Sequence, residues 1–216
     1  MGANRQVVLH AYRFSVYARV VRMTLIEKGV PWREVEVDPF GELSPGYLAL
    51  NPFGRVPTLA DGDFVLYETA AITRYIDEAF DGPPLQPADP RERARMAQAV
   101  AIVDSYGYWP LVRQVFSHRV FRPAEGAVSD EGAVMEGLAR APTVLAALDG
   151  LCADRFLAGE EMCLADLHLA PMIAYFTQAT EGAEMLGRYP RLQAWWTHMR
   201  ERPALKATEP GLPVRE

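Results

Sequence analysis

Ser15 is placed where a hydroxyl can meet an anion. It falls between a short apolar run, Gln6 to Ala11, and a segment with helical apolar spacing, Val16 to Lys28. At that junction its oxygen can cap the helix by accepting from first-turn amides. The same hydroxyl, beside the positive end of the helix, can instead face a bound anion, and a thiolate is such an anion. A second group is Val56-Pro57, inside a stretch that otherwise reads as a strand. Proline is tolerated in a strand at an edge, at a bulge, or with a cis X-Pro bond. A cis bond would leave the Val56 amide and carbonyl pointing at whatever lies beside the sheet. The stretch Asn51 to Tyr75 is therefore expected to bind the backbone of a small peptide. An acidic-hydroxyl pair, Glu68-Thr69, follows and opens an amphipathic helix.

Other chemistries lack their residues. There is no G-x-S-x-G, Walker A, G-x-G-x-x-G or H-E-x-x-H pattern. His10, His118, His168 and His198 show no ligand spacing, so no metal is expected; His10 and His168 read as core histidines. The net charge of −6 argues against a nucleic-acid partner. Half of the 216 residues are hydrophobic and 23% are charged, the balance of a globular chain with a real core. The two cysteines, Cys152 and Cys163, form no C-x-x-C and no disulfide framework, which fits a reducing compartment. No signal-peptide pattern opens the chain, and no apolar run reaches the roughly 18 residues of a membrane span. A cytoplasmic protein with no membrane partner is expected.

Several elements must position Ser15, Val56-Pro57 and Glu68-Thr69. Gln6 to Ala11 reads as a strand, and Val16 to Lys28 as a helix ended by Gly29. Trp32 to Val37 alternates as a half-buried strand. Strand, helix and strand this close make a βαβ unit with a parallel pair. Tyr47 to Leu50 reads as one helical turn. A strand ending at Pro57 to Ala60, an Asp61-Gly62 hairpin, a strand from Phe64 to Tyr67 and a helix from Thr69 to Phe80 follow. This β-α-β-(α)-β-β-α order predicts a thioredoxin-like α/β domain with a mixed four-stranded sheet over residues 1–82. The Pro-rich stretch 83–90 reads as a linker. Residues 91–216 read as an all-α helical bundle. Its helices are expected over 91–118, from a Ser129-Asp130 cap to Ala153, over Asp166 to Thr180 with a kink or early break at Pro171, and over Arg191 to Glu201. A loose tail is expected from Lys206.

The chain resembles the cytosolic glutathione transferases over about residues 6–205, and within them the serine-type, phi-like and bacterial members. Three segments carry the likeness. They are Ser15-Val-Tyr-Ala-Arg19-Val-Val-Arg22 leading to Glu27-Lys-Gly-Val-Pro31; Asn51-Pro-Phe-Gly-Arg-Val-Pro-Thr-Leu59 leading to Tyr67-Glu-Thr-Ala-Ala-Ile72 and Tyr75; and Phe156-Leu-Ala-Gly159 to Ala165-Asp-Leu167, with Tyr189-Pro190 and Arg202-Pro203 beyond. The resemblance implies glutathione as co-substrate, a hydrophobic electrophile as the other substrate, and a homodimer, with Phe53 suited to be an interface key. It implies that Ser15 is the catalytic hydroxyl, donating to the glutathione sulfur and not acting as nucleophile. Tyr12 is the competing donor. Val56 beside cis-Pro57 would pair with the cysteinyl backbone as an added strand. Glu68 and Thr69 would hold the γ-glutamyl end, and Arg55 would reach a carboxylate.

Two departures from the family pattern stand out. The loop Gly41-Glu42-Leu43-Ser44 lacks the His-Lys pair that grips the glycyl carboxylate in related enzymes, leaving Arg13 or Arg55 to substitute. Cys163 stands where Ser or Thr usually caps a helix opposite Asp166, so a weaker cap is expected. The absence of cysteine at position 15 disfavours disulfide exchange. The electrophile pocket is expected at the start of the long helix after the linker, with Tyr106, Trp109 and Phe116, and also Tyr108 and His118, as candidates beside Phe14. Two alternatives are compatible with these residues: a non-catalytic glutathione-binding or scaffold protein, and a glutathione-dependent peroxidase or dehalogenase.

Overall fold

The computed structural model describes residues 6–153 and 155–213. The chain divides into two compact units between Pro84 and Leu85. The first is a thioredoxin-like α/β unit. Its strands are β1 (Val7–Ala11), β2 (Trp32–Glu36), β3 (Thr58–Asp61) and β4 (Phe64–Tyr67), in the spatial order β2-β1-β3-β4. β1 and β2 are parallel, Val7 opposite Trp32 and Ala11 opposite Glu36. β3 runs antiparallel to both β1 and β4. Asp61 faces Phe64 across a two-residue turn in which Gly62 takes φ +63, a conformation that glycine adopts without a Cβ clash.

Period-2 alternation buries Val7, Leu9 and Ala11 on one face of the sheet. There they join Ala18, Val21 and Leu25 of α1 (Val16–Glu27) and Ile72 and Ile76 of α3 (Thr69–Ala79) in one core. Gly29, at φ +65, ends α1. Lys28 then turns inward, its Nζ 3.0 Å from Asp77 of α3 and 3.0 Å from the Pro83 carbonyl. Gly82 permits this close passage: a Cβ there would lie 3.0 Å from the Lys28 carbonyl. The expected turn at Tyr47 is a longer helix, α2 (Pro45–Leu50), because Ser44 caps it and Pro45 suits its first position.

The second unit is helical. α4 (Pro90–Ile102), capped by Asp89, runs on into a π-helical stretch, Val103–Phe121, and a short α5 (Arg122–Glu125). The sequence pattern predicts helix there but not its wider pitch; Pro110 inside it supplies no ladder amide. Asp130 caps α6 (Glu131–Leu151). α7 spans Leu164–Phe176, and Pro171 does not break it. Burial on every side from Leu164 to Ile173 holds this helix where an exposed one would open. α7 stops at Phe176, short of the expected Thr180; residues 177–179 turn, and Thr180 opens a separate helix that the sequence reading lacked, α8 (Thr180–Leu186), followed by α9 (Pro190–Met199). The tail expected to be loose from Lys206 starts inside a helix, α10 (Pro203–Ala207), anchored by buried Ala204 and Leu205. Among the described residues no helix is long and apolar enough to cross a membrane.

Candidate active site

Thr58 organises the site. It pairs with His10 of β1 on one side and Tyr67 of β4 on the other. Three segments therefore reach the same end of the sheet: the loop leaving β1 toward Ser15, the Val56-Pro57 entry to β3, and the Glu68-Thr69 exit from β4. The N-termini of α1 and α3 both begin there, at Val16 and Thr69.

Val56-Pro57 is cis. Among the described residues no hydrogen bond engages the Val56 amide or carbonyl. The segment before it is held firmly. Tyr47 Oη donates to the Arg55 carbonyl at 2.5 Å, and Asn51 Nδ2 donates to the same carbonyl at 2.9 Å. Thr58 Oγ1 lies 3.1 Å from both Tyr47 Oη and Asn51 Nδ2, closing the network. Burial outweighs these hydrogen bonds and raises the Tyr47 phenol pKa, so it stays a donor at neutral pH. The Arg55 side chain is exposed.

Glu68 is exposed and takes φ 71, alone among non-glycine described residues in having positive φ. Such backbone costs of order 1–3 kcal/mol and collects at functional sites. Glu68 makes no side-chain cap bond, so the first-turn amides of α3 are open to a ligand. Thr69, the first residue of α3, is 8% exposed.

Ser15 caps α1. Its Oγ accepts from the Ala18 amide at 3.2 Å, and its own amide donates to the Tyr12 carbonyl at 3.0 Å. The capping reading and the donor reading are compatible: the oxygen accepts with one lone pair while its proton remains to be donated. The Tyr12 ring meets Phe14 and Phe40 edge-on at 5.7 and 5.8 Å. The Arg13 guanidinium lies 5.4 Å from the Phe14 ring centre.

The electrophile candidates separate. Phe14 is half-buried in the first unit. In the second, Tyr106 and Trp109 are 66% and 55% exposed on the π-helical stretch, three residues apart. Phe116 is 5% exposed and stacks on Tyr175 at 4.4 Å, the packing of a core ring. His118 Nδ1 accepts from the Asp130 amide at 2.9 Å, which ties it to the α6 cap. His10 is half-buried against Tyr47, and desolvation followed by the charge of Arg33 lowers its pKa. Both cysteines are buried free thiols, and burial pushes Cys152 up to about 12, so neither is an available thiolate. Among the described residues no cluster of His, Cys, Asp and Glu could hold a metal.

Sequence reasoning missed four residues that support this site. Tyr47 and Asn51 fix the approach to Val56. Arg22 and Glu34 form an ion pair at 2.7 Å behind the Ser15 loop. No spacing rule signals their roles, because the group each one holds lies outside its own element: the Arg55 carbonyl for Tyr47 and Asn51, and β2 and the Tyr12–Arg13 carbonyls for Arg22.

Comparison with known proteins bears on the whole chain. The family model described as "Glutathione S-transferase, N-terminal domain" matches residues 9–84, and "Glutathione S-transferase, C-terminal domain" matches residues 108–203. Glutathione S-transferase F10 of Arabidopsis thaliana is 34% identical, with 96% of this chain and 99% of that protein covered. The structure of glutathione S-transferase III in apo form superposes with a TM-score of 0.84 at 30% identity, covering 98% of this chain and 99% of that one. The structure of glutathione S-transferase-I bound with lactoylglutathione does so with a TM-score of 0.81 at 25% identity, covering 94% and 97%.

Proposed function

The chain belongs to the glutathione S-transferase family, and from that membership we propose how its own residues turn the glutathione thiol into a nucleophile. Glutathione is the co-substrate. Its cysteinyl backbone pairs with the Val56 amide and carbonyl as an added strand. Its γ-glutamyl carboxylate takes the open amides and the hydroxyl at the start of α3, around Thr69, and Glu68 receives the α-amino group. Arg55 is the cation for the glycyl carboxylate, since the loop at Gly41 to Ser44 carries no basic residue.

Ser15 acts on the sulfur. A free thiol titrates near pKa 8.5 and is mostly protonated at neutral pH. The Ser15 hydroxyl donates to the sulfur at the positive end of α1, which favours the thiolate. The thiolate forms a carbon–sulfur bond to an electrophilic carbon, and the leaving group departs with its electron pair. Tyr106 and Trp109, exposed on the π-helical stretch, contact the hydrophobic electrophile, whereas Phe116 is committed to the core of its unit. The protein works as a cytoplasmic homodimer in which Phe53, 66% exposed and edge-on to Tyr67 at 5.7 Å, is the interface key.

The observation that carries this reading is the convergence at Thr58 of the Ser15, Val56 and Glu68 segments on one sheet end. The test is conjugation of glutathione to a generic aryl halide by the native protein and by Ser15→Ala, with glutathione affinity measured for Thr69→Val. Loss of turnover in the first and of affinity in the second is expected. Activity that survives Ser15→Ala but not Tyr12→Phe would transfer the donor role to Tyr12. The missing loop His-Lys pair favours one rival, a non-catalytic glutathione-binding protein. Retention on immobilised glutathione with no turnover over a broad electrophile panel would establish it, while product analysis separates transfer from peroxide reduction or dehalogenation.

A further inference from the structure

The loop that carries Ser15 has no ladder of its own. It leaves β1 after Ala11 and enters α1 at Val16. It is held partly from outside, by β2. The Arg13 amide donates to Glu36 Oε1 at 2.9 Å. Arg22 Nη1 donates to the Arg13 carbonyl at 3.3 Å, and its Nη2 donates to the Tyr12 carbonyl at 3.4 Å. The Tyr12 carbonyl is also the acceptor for the Ser15 amide, so the backbone position of Ser15 is set against a group that Arg22 holds.

Arg22 is itself fixed. Its Nε and Nη2 meet the two carboxylate oxygens of Glu34 at 2.9 and 2.7 Å, a bidentate pair. Trp32 Nε1 lies 3.5 Å from the same carboxylate. Arg22 follows Ser15 by seven residues, about two helical turns, so both lie on nearly the same face of α1. Helical side chains lean toward the N-terminus, which carries the guanidinium back to the loop. Arginine suits the task because its planar fork offers donors to a carboxylate on one edge and to carbonyls on another; lysine has one nitrogen for all of them. The Arg22 side chain is 11% exposed and that of Glu34 is 32% exposed, so the guanidinium is sheltered while solvent and salt reach the pair from the carboxylate side.

We propose that Arg22, anchored by Glu34, is a positioning residue that fixes the Tyr12–Ser15 loop and so aims the Ser15 hydroxyl at the glutathione sulfur. The inference rests on Ser15 being the sulfur's donor. Arg22 contacts carbonyls of the loop, and its charge is matched by Glu34. Its effect on the thiol is thus through geometry, because a small misplacement of a donor weakens the hydrogen bond that favours the thiolate.

The test is ultraviolet difference titration of the thiolate of bound glutathione, with glutathione affinity and aryl halide turnover measured in parallel. The variants are Ser15→Ala, Arg22→Met, Arg22→Lys, Glu34→Gln and the double variant Arg22→Met/Glu34→Gln. Arg22→Met and the double variant should raise the bound thiol's pKa by about one unit and lower kcat about tenfold, with glutathione Kd within about twofold. Arg22→Lys should recover part of the loss. The double variant keeps the local net charge, so its return to native behaviour would overturn positioning in favour of a through-space charge effect. An unchanged thiol pKa in Arg22→Met, with Ser15→Ala raising it, would overturn the inference and leave the Ser15 reading standing. An unchanged pKa in Ser15→Ala would remove that reading and the inference together. If Arg22→Met fails to fold, Glu34→Gln decides: a raised thiol pKa supports positioning, and a native or lowered one refutes it.

Discussion

The Ser15 hydroxyl oxygen accepts from the Ala18 amide at 3.2 Å, which joins the start of α1 to the group proposed to meet the sulfur. One side chain thus serves two physical ends. Its acceptor function belongs to folding, and its proton is left for the proposed chemistry. The two can be separated because aspartate caps a helix as well as serine does but, ionised, has no proton to give.

Ser15→Ala should lose both functions: about 1 kcal/mol of stability and about a hundredfold in turnover. Ser15→Asp should keep the melting temperature of the parent while being no more active than Ser15→Ala, since its charge also repels a thiolate. Thermal melts and aryl halide conjugation on the three proteins check this. A Ser15→Asp variant that conjugates at the native rate would show that no proton from position 15 is needed.

Glu34 gives the Ser15 loop a pH dependence. Burial works to raise its carboxyl pKa, but the hydrogen bonds and charge of Arg22, helped by Trp32, outweigh it and hold the group below its usual 4.5. A folded value below the unfolded one means the stabilisation is present above the unfolded value and is lost as pH falls through the folded one. The melting-temperature gap between the parent and Glu34→Gln should therefore be widest near neutrality and shrink steadily as pH falls below 4.5. A gap that stays constant down to pH 3 contradicts the assignment.

Lys28 and Asp77 join α1 to α3 through side chains only 3% and 6% exposed. Removing one member of a buried pair leaves the other charge desolvated without its counter-ion, at a cost of roughly 3–5 kcal/mol. Lys28→Met should lose about that much in urea unfolding, and Lys28→Met/Asp77→Leu should recover most of it, because an apolar replacement of both ends removes the stranded charge. A loss below about 1 kcal/mol in the single variant would mean that water reaches Asp77.

Much of this was legible because it is local. Alternation marks β2, and short apolar runs mark β1 and β4; the helix at Ser15 and the one at Asp130 announce themselves by caps; Pro57 after Val56 marks a break in strand behaviour. What stayed hidden depends on distant partners. Arg22 and Glu34 each look like a charge on a solvated face, and only the parallel pairing of β1 with β2 brings them together. The Tyr47 phenol cannot be assigned to the Arg55 carbonyl until α2 has a direction. Pro171 predicts a break because its rule assumes solvent, whereas α7 is walled in by its neighbours. The positive φ of Glu68 has no signal in a glutamate.

Cys163 shows the same limit at the other end of the chain. The four-residue box Cys163 to Asp166 can be read from spacing, but the structure shows how unequal its halves are. Asp166 Oδ2 accepts from the Cys163 amide at 2.8 Å, while its Oδ1 accepts from the Leu157 amide at 2.9 Å and from Trp195 Nε1 at 2.8 Å. The carboxylate therefore ties three segments together, whereas the thiol that faces the α7 amides is a poor acceptor, kept protonated by burial. Cys163→Ser should gain up to about 1 kcal/mol by supplying a stronger acceptor. Asp166→Ala should lose several times that, because three buried donors are orphaned at about 1–3 kcal/mol each. Urea midpoints for the two variants check the pair. A Cys163→Ser protein less stable than its parent would mean that the 2%-exposed sulfur is held by packing that a hydroxyl cannot replace.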